Sequence, residues 1–86
     1  MNHPILEDFF REHGTDPVLA GHIRKAIGAF MAREPGWELR RAAVSELTGH
    51  VQVHFRRYLA EGEDATMKGT DKDGRPVAVE IFSFRE

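Results

Sequence analysis

The sequence predicts an α+β fold, with two N-terminal helices followed by a three- or four-stranded antiparallel β-meander. Three observations predict it. Leu19, Ile23, Ile27 and Phe30 recur at i, i+4, i+8 and i+11, the stripe of an amphipathic helix that needs a core to lie on. His50-Val51-Gln52-Val53-His54-Phe55-Arg56 alternates at period two, as a half-buried strand does. Asp71-Lys72-Asp73-Gly74-Arg75 is a turn signal between two β-compatible runs, so the last third reads as a hairpin.

Each element has its own punctuation. Pro4 suits a first helical position, where its missing N–H costs nothing, and Gly14 suits the position just past a helix end. Between them Ile5, Leu6, Phe9 and Phe10 line one side, while Glu7, Asp8, Arg11 and Glu12 fall elsewhere. Thr15 or Asp16 caps the second helix, Pro17 begins it and Pro35-Gly36 stops it. Ala26 and Met31 accompany its apolar stripe. In the hairpin, a two-residue Asp73-Gly74 loop would pair Lys68 with Val79 and Thr66 with Ile81, mixing polar with apolar. A three-residue Lys72-Asp73-Gly74 loop, with Gly74 left-handed, pairs Met67 with Val79 and Ala65 with Ile81. That second register gives a consistent apolar face and is preferred.

Residues 37–60 carry two readings. Val51, Phe55, Tyr58 and Leu59 also satisfy helical spacing, and Glu38 to Ala43 are good helix formers. The strand reading is favoured, with Thr48-Gly49 closing a tight turn between two runs. With strands, the second helix packs across one face of the sheet, an arrangement similar to cystatin-like α+β scaffolds. With helices, the chain becomes three helices and a hairpin, similar to winged-helix DNA-binding domains. Neither likeness rests on a family motif, and a shared fold does not transfer function.

The chain has 86 residues, 41% of them hydrophobic, and is expected to fold as a single domain over 1–86. A domain this small has modest stability or shares it with a partner. It has no cysteine, which excludes disulfides, thiolate metal sites and a Cys nucleophile. Apolar runs are only a few residues long, and Glu7, Asp8 and Glu12 stand where a secretory signal would be apolar. The expectation is a soluble, cytoplasmic protein with no membrane contact. A net charge of −2 argues against nucleic acid as a default partner.

Motifs for chemistry are missing. The sequence holds no G-K-[ST], H-E-x-x-H or G-x-S-x-G. Asp71 and Asp73 open like a calcium loop, but Gly74 falls at the fourth position instead of the sixth, leaving a solvated turn. His50 and His54 could share a metal on a helix, whereas on a strand they stand about 13 Å apart. Five histidines could still confer pH sensitivity. Glu80, between Val79 and Ile81, is expected to face solvent opposite the core. No catalytic residue, metal ligand or cofactor is therefore assigned, and the chain is not expected to be an enzyme.

The suspected surface comes from the strand faces. One face is read as Val51, Val53, Phe55, Ala65, Met67, Val77, Val79 and Ile81, covered by the second helix. The other then carries Gln52, His54, Arg56, Tyr58, Thr66, Lys68, Thr70, Ala78, Glu80, Phe82 and Phe84. A β-bulge after Ile81, or cover by Phe9 and Phe10, would instead take Phe82 and Phe84 into the core. Left exposed, they form an aromatic patch of the kind that marks a protein partner or a homodimer. The expected function is a small non-enzymatic protein-interaction module, a regulator, inhibitor or adaptor binding through a sheet face or edge. Its partner-binding residues are Arg56, Tyr58, Phe82 and Phe84. The alternative is a nucleic-acid-binding regulator using Arg40, Arg41, His54, Arg56, Arg57 and Lys68, possible but not favoured.

Overall fold

The computed structural model describes residues 3–85, in which helices α1 (Pro4–His13) and α2 (Pro17–Arg33) precede four strands. These are β1 (Glu38–Val44), β2 (Val51–Tyr58), β3 (Lys68–Thr70) and β4 (Pro76–Phe84). Helix boundaries follow local chemistry. His3 Nδ1 accepts the Ile5 N–H at 3.2 Å ahead of Pro4, and Gly14 closes α1 at φ 57°. Asp16, rather than Thr15, caps α2, its Oδ2 accepting the N–H groups of Val18 and Leu19 at 3.0 and 3.1 Å. Leu6, Phe9 and Phe10 of α1 and Ala20, Ile23, Ile27 and Phe30 of α2 are buried.

Residues 38–44 and 51–58 are strands, so the three-helix alternative and its winged-helix likeness fall away. Val51, Val53 and Phe55 are each 1% exposed or less, and only an extended backbone brings every second residue to one face. The turn between β1 and β2 is tied by Ser45, whose N–H donates to the His50 carbonyl and whose carbonyl accepts from Gly49. Gly49 there adopts φ 76°, a conformation that glycine reaches without penalty.

All four strands are antiparallel, in the order β1-β2-β4-β3. The order departs from a sequential meander because β4, not β3, lies beside β2. β4 has nine residues with apolar side chains on both faces, suited to a central place, whereas β3 is Lys-Gly-Thr and suits an edge. The segment 59–67 joins β2 to β3 and is held by Glu63, which takes the Arg57 guanidinium in two hydrogen bonds of 2.9 and 2.6 Å. The β3–β4 register is the expected one: Lys68 opposes Ala78, Thr70 opposes Pro76, and Gly74 in the loop has φ 82°.

The face assignment of β4 needs correction. The β2–β4 pairing sets Val53 against Phe82, Val51 against Phe84 and Phe55 against Glu80. Opposed residues share a face. Phe82 and Phe84 therefore lie on the helix side, part-buried against the core, and Val77, Val79 and Ile81 take the other side. The β2–β4 register is continuous, so no bulge turns the two phenylalanines inward. Glu80 also lies on the helix side, half-buried in a groove with Trp37 and Arg57, rather than opposite the core. The physical reason is that β4 is apolar on both faces, so the hairpin's own alternation does not reveal which face it shares with β2.

One aromatic cluster knits the layers. The Phe30 ring lies 4.8 Å from those of Phe55 and Phe82, edge to face, and 6.0 Å from Trp37. Such pairs add about 0.5–1.5 kcal/mol each beyond burial. Both helices feed this single cluster with Leu39, Val51, Val53 and Phe55. The shortest dimension is 20 Å, one layer of helices on one layer of sheet.

Candidate functional site

Among the described residues no helix covers the second face of the sheet. Pairing defines its residues: Glu38, Arg41 and Ala43 from β1; Gln52, His54, Arg56 and Tyr58 from β2; Val77, Val79, Ile81 and Ser83 from β4. Val77 is buried, and Val79 and Ile81 are half-buried in the middle of the face.

A β-bulge gives this face its charge. Leu39 opposes Phe55, and Arg41 opposes the next residue, His54, so Arg40 is extra. In a regular strand Glu38 and Arg40 would point one way and Leu39 and Arg41 the other. The bulge instead keeps Leu39, Ala42 and Val44 on the core side and leaves Arg40 and Arg41 both on the open face. Arg40 lines a notch of about 280 Å³ with Arg56, Tyr58, Asp71, Lys72 and Asp73. Glu38 sits between two of the arginines, 2.8 Å from Arg40 Nη1 and 3.9 Å from Arg56 Nε. The second distance is too long for a hydrogen bond, and Arg56 Nε is buried without a hydrogen-bond partner among the described residues.

His54 Nε2 is likewise buried and, among the described residues, unpartnered. Burial first, and then the charge of Arg41, hold the His54 imidazole below its ordinary pKa of 6.5, favouring the neutral ring. Tyr58 is fixed from two sides. Its hydroxyl donates to Asp71 Oδ2 at 2.9 Å, and the Arg75 guanidinium lies 4.0 Å from the ring centroid. Asp71 Oδ1 accepts the N–H groups of Asp73 and Arg75 at 2.9 Å each. These contacts, the Arg75 N–H foremost, hold the Asp71 carboxyl below the usual range.

None of the protein-family models, curated proteins or solved structures compared with this chain matches it.

Of the four residues expected to bind a partner, the fold brings Arg56 and Tyr58 together on the open face and sends Phe82 and Phe84 to the opposite one. The basic stripe divides in the same way. Arg40, Arg41, His54 and Arg56 gather on the open face, while Arg57 and Lys68 lie on the helix side, paired with Glu63 and Asp64. His50 precedes β2 and His54 lies inside it. Among the described residues no three His, Cys, Asp or Glu side chains converge as a metal site would require. Sequence reasoning missed Val79 and Ile81, which it placed in the core, and it missed the pairing of Arg41 with His54. A signal for the bulge was available: Leu39, Ala42 and Val44 can share a face only if one residue between them is extra.

The helix side has its own concavity, a groove of about 510 Å³ lined by Leu6, Ile27, Gly28, Met31 and Ala32. Arg24 at its rim is occupied by Glu7 through two 2.8 Å hydrogen bonds.

Proposed function

We propose that this chain is a small, cytoplasmic, non-enzymatic protein-interaction module, a regulator, inhibitor or adaptor that docks a partner on the uncovered face of its sheet. One observation carries the reading: helices cover one face of a four-stranded sheet, and the other presents Val79, Ile81 and Tyr58 among arginines with no helix over them. Aromatic, aliphatic and Arg side chains packed together are the usual make-up of interface hot spots.

The electrostatics support a binding role over a catalytic one. Glu7, Glu63, Asp64 and Asp71 are all shifted toward their charged forms by ion pairs or turn hydrogen bonds. A general acid or base needs the opposite, a group poised to change charge near neutrality. His54 is shifted toward its neutral form, yet it stands on an open surface beside a cation, outside any cleft. A cysteine-free composition fits a reducing compartment, and among the described residues no helix is long and apolar enough to cross a membrane.

The test is capture of a partner from the native lysate on the immobilised chain, with nuclease present, compared between wild type and Ile81→Asp. A stoichiometric protein retained by wild type and lost from a variant with unchanged circular dichroism is expected. Equal retention by both would overturn the sheet-face reading. Should Ile81→Asp unfold, Arg41→Glu, at an exposed position, makes the same comparison.

A further inference from the structure

We infer that the uncovered face selects an acidic protein surface, one that offers carboxylates to Arg40, Arg41 and Arg56 and an apolar centre to Val79 and Ile81. The inference rests on the reading of that face as a docking surface and adds the chemistry of the partner.

Charge carries it. The bulge places Arg40 and Arg41 on the same side as Arg56, and Glu38 is the carboxylate that Arg40 and Arg56 share. Arg41 is exposed and, among the described residues, has no carboxylate within 4.0 Å. At the hairpin end, Asp71 and Asp73 are matched by Lys72 and Arg75. The face is thus positive on a chain whose net charge is −2. A bulge that re-aims an arginine onto a face already rich in arginine adds self-repulsion, which an acidic partner relieves.

The same geometry disfavours the other occupants. A second copy packed face to face would set arginine against arginine across the two-fold axis. Single-stranded nucleic acid needs open aromatic rings for stacking. Among the described residues Tyr58 is the one Phe, Tyr or Trp of this face, and it is engaged by Arg75 over its ring and by Asp71 at its hydroxyl. Val79 and Ile81, opposite Arg56 and His54, offer aliphatic surface, which suits protein side chains better than bases.

The probes are a short synthetic peptide alternating Glu with Leu, its Gln–Leu counterpart and a dT oligonucleotide. Each is titrated into the ¹⁵N-labelled full chain and read by amide chemical shifts. The Glu–Leu peptide is expected to move Arg40, Arg41, His54, Arg56, Val79 and Ile81. Its affinity should fall about tenfold between roughly 0.05 M and 0.5 M salt, and about tenfold when Glu becomes Gln. Arg40→Glu with Arg41→Glu should abolish the shifts, while Lys25→Glu on the exposed side of α2 leaves them unchanged. Equal binding of the Gln–Leu peptide on this face would overturn the acidic selection yet leave the docking reading standing. Tighter binding of the oligonucleotide to the same amides would overturn it in favour of phosphate. A dimer in sedimentation that Ile81→Asp dissolves would overturn it in favour of a second copy. Absence of shifts with every probe would also overturn it, and the docking reading would then stand or fall on the lysate comparison alone.

Discussion

Arg41 stands directly across from His54 in the β1–β2 pairing, although Leu39, two residues earlier, stands across from Phe55. One extra residue in β1 thus sets a permanent cation beside a half-buried imidazole, flanked on the other side by Ile81. Both burial and Arg41 favour neutral His54 in the folded chain. The unfolded chain therefore takes up the proton at higher pH. This contribution to stability is complete above about 6.5 and is lost as pH falls from there through the lower folded value. Arg41→Gln should raise the His54 pKa part of the way back, burial remaining. An NMR titration of the imidazole in both proteins decides it, and an unchanged pKa would mean that Arg41 exerts no field at His54.

Glu63 should titrate far below an ordinary carboxylate, at about 2, because the Arg57 guanidinium and the Ala60 N–H both favour its charged form. The stability this provides is present above about 4.5 and disappears as pH falls from there through about 2. Glu63→Gln should flatten that acid limb and loosen segment 59–67. The check is chemical denaturation of both proteins between pH 5 and 2 on the order of half-unit steps.

Phe82 should behave as core. Its ring meets Phe30 at 4.8 Å and Phe55 at 5.8 Å, so Phe82→Ser removes two edge-to-face contacts and leaves a cavity. The expected loss is about 2–3 kcal/mol in urea unfolding, below the full range for a buried Phe because the ring is only part-buried. A variant as stable as wild type would place Phe82 outside the core and return it to the surface.

Two glycine substitutions should have opposite signs. Gly74→Ala forces a side chain into φ 82° in the hairpin loop, at a cost of about 1–2 kcal/mol. Gly21→Ala falls inside α2, where an added methyl meets nothing within 4 Å, and should stabilise by about 0.5–1 kcal/mol. Thermal melts of the two variants beside wild type are sufficient, and destabilisation by Gly21→Ala would contradict the open surroundings of that residue.

Elements with local causes were legible in the sequence. Pro17, Asp16 and the Leu19–Phe30 stripe mark α2, and the three-residue loop around Gly74 fixes the β3–β4 register, because both depend on neighbours a few residues away. Half of the candidate site was legible too: Arg56 and Tyr58 stand on alternate positions of β2 opposite the buried Val51, Val53 and Phe55, and alternation alone places them outward.

The other half depended on long-range pairing. Which face of β4 meets the helices follows from Phe82 standing against Val53, a contact between residues far apart in the chain that neither strand's own pattern reveals. β4 is apolar on both faces, so Phe82 and Phe84 were as plausible outside as Val79 and Ile81 were inside. The insertion of β4 between β2 and β3 likewise turns on a competition between strands for the central place. The sequence by itself determined the two helices and the hairpin loop, since backbone preference and period act locally. It favoured strands over residues 37–60 without deciding them, because Val51, Phe55, Tyr58 and Leu59 fit helical spacing as well. Only the tertiary structure decided the strand order, the bulge at Arg40 and the composition of the open face, since each requires two distant segments to choose a common register.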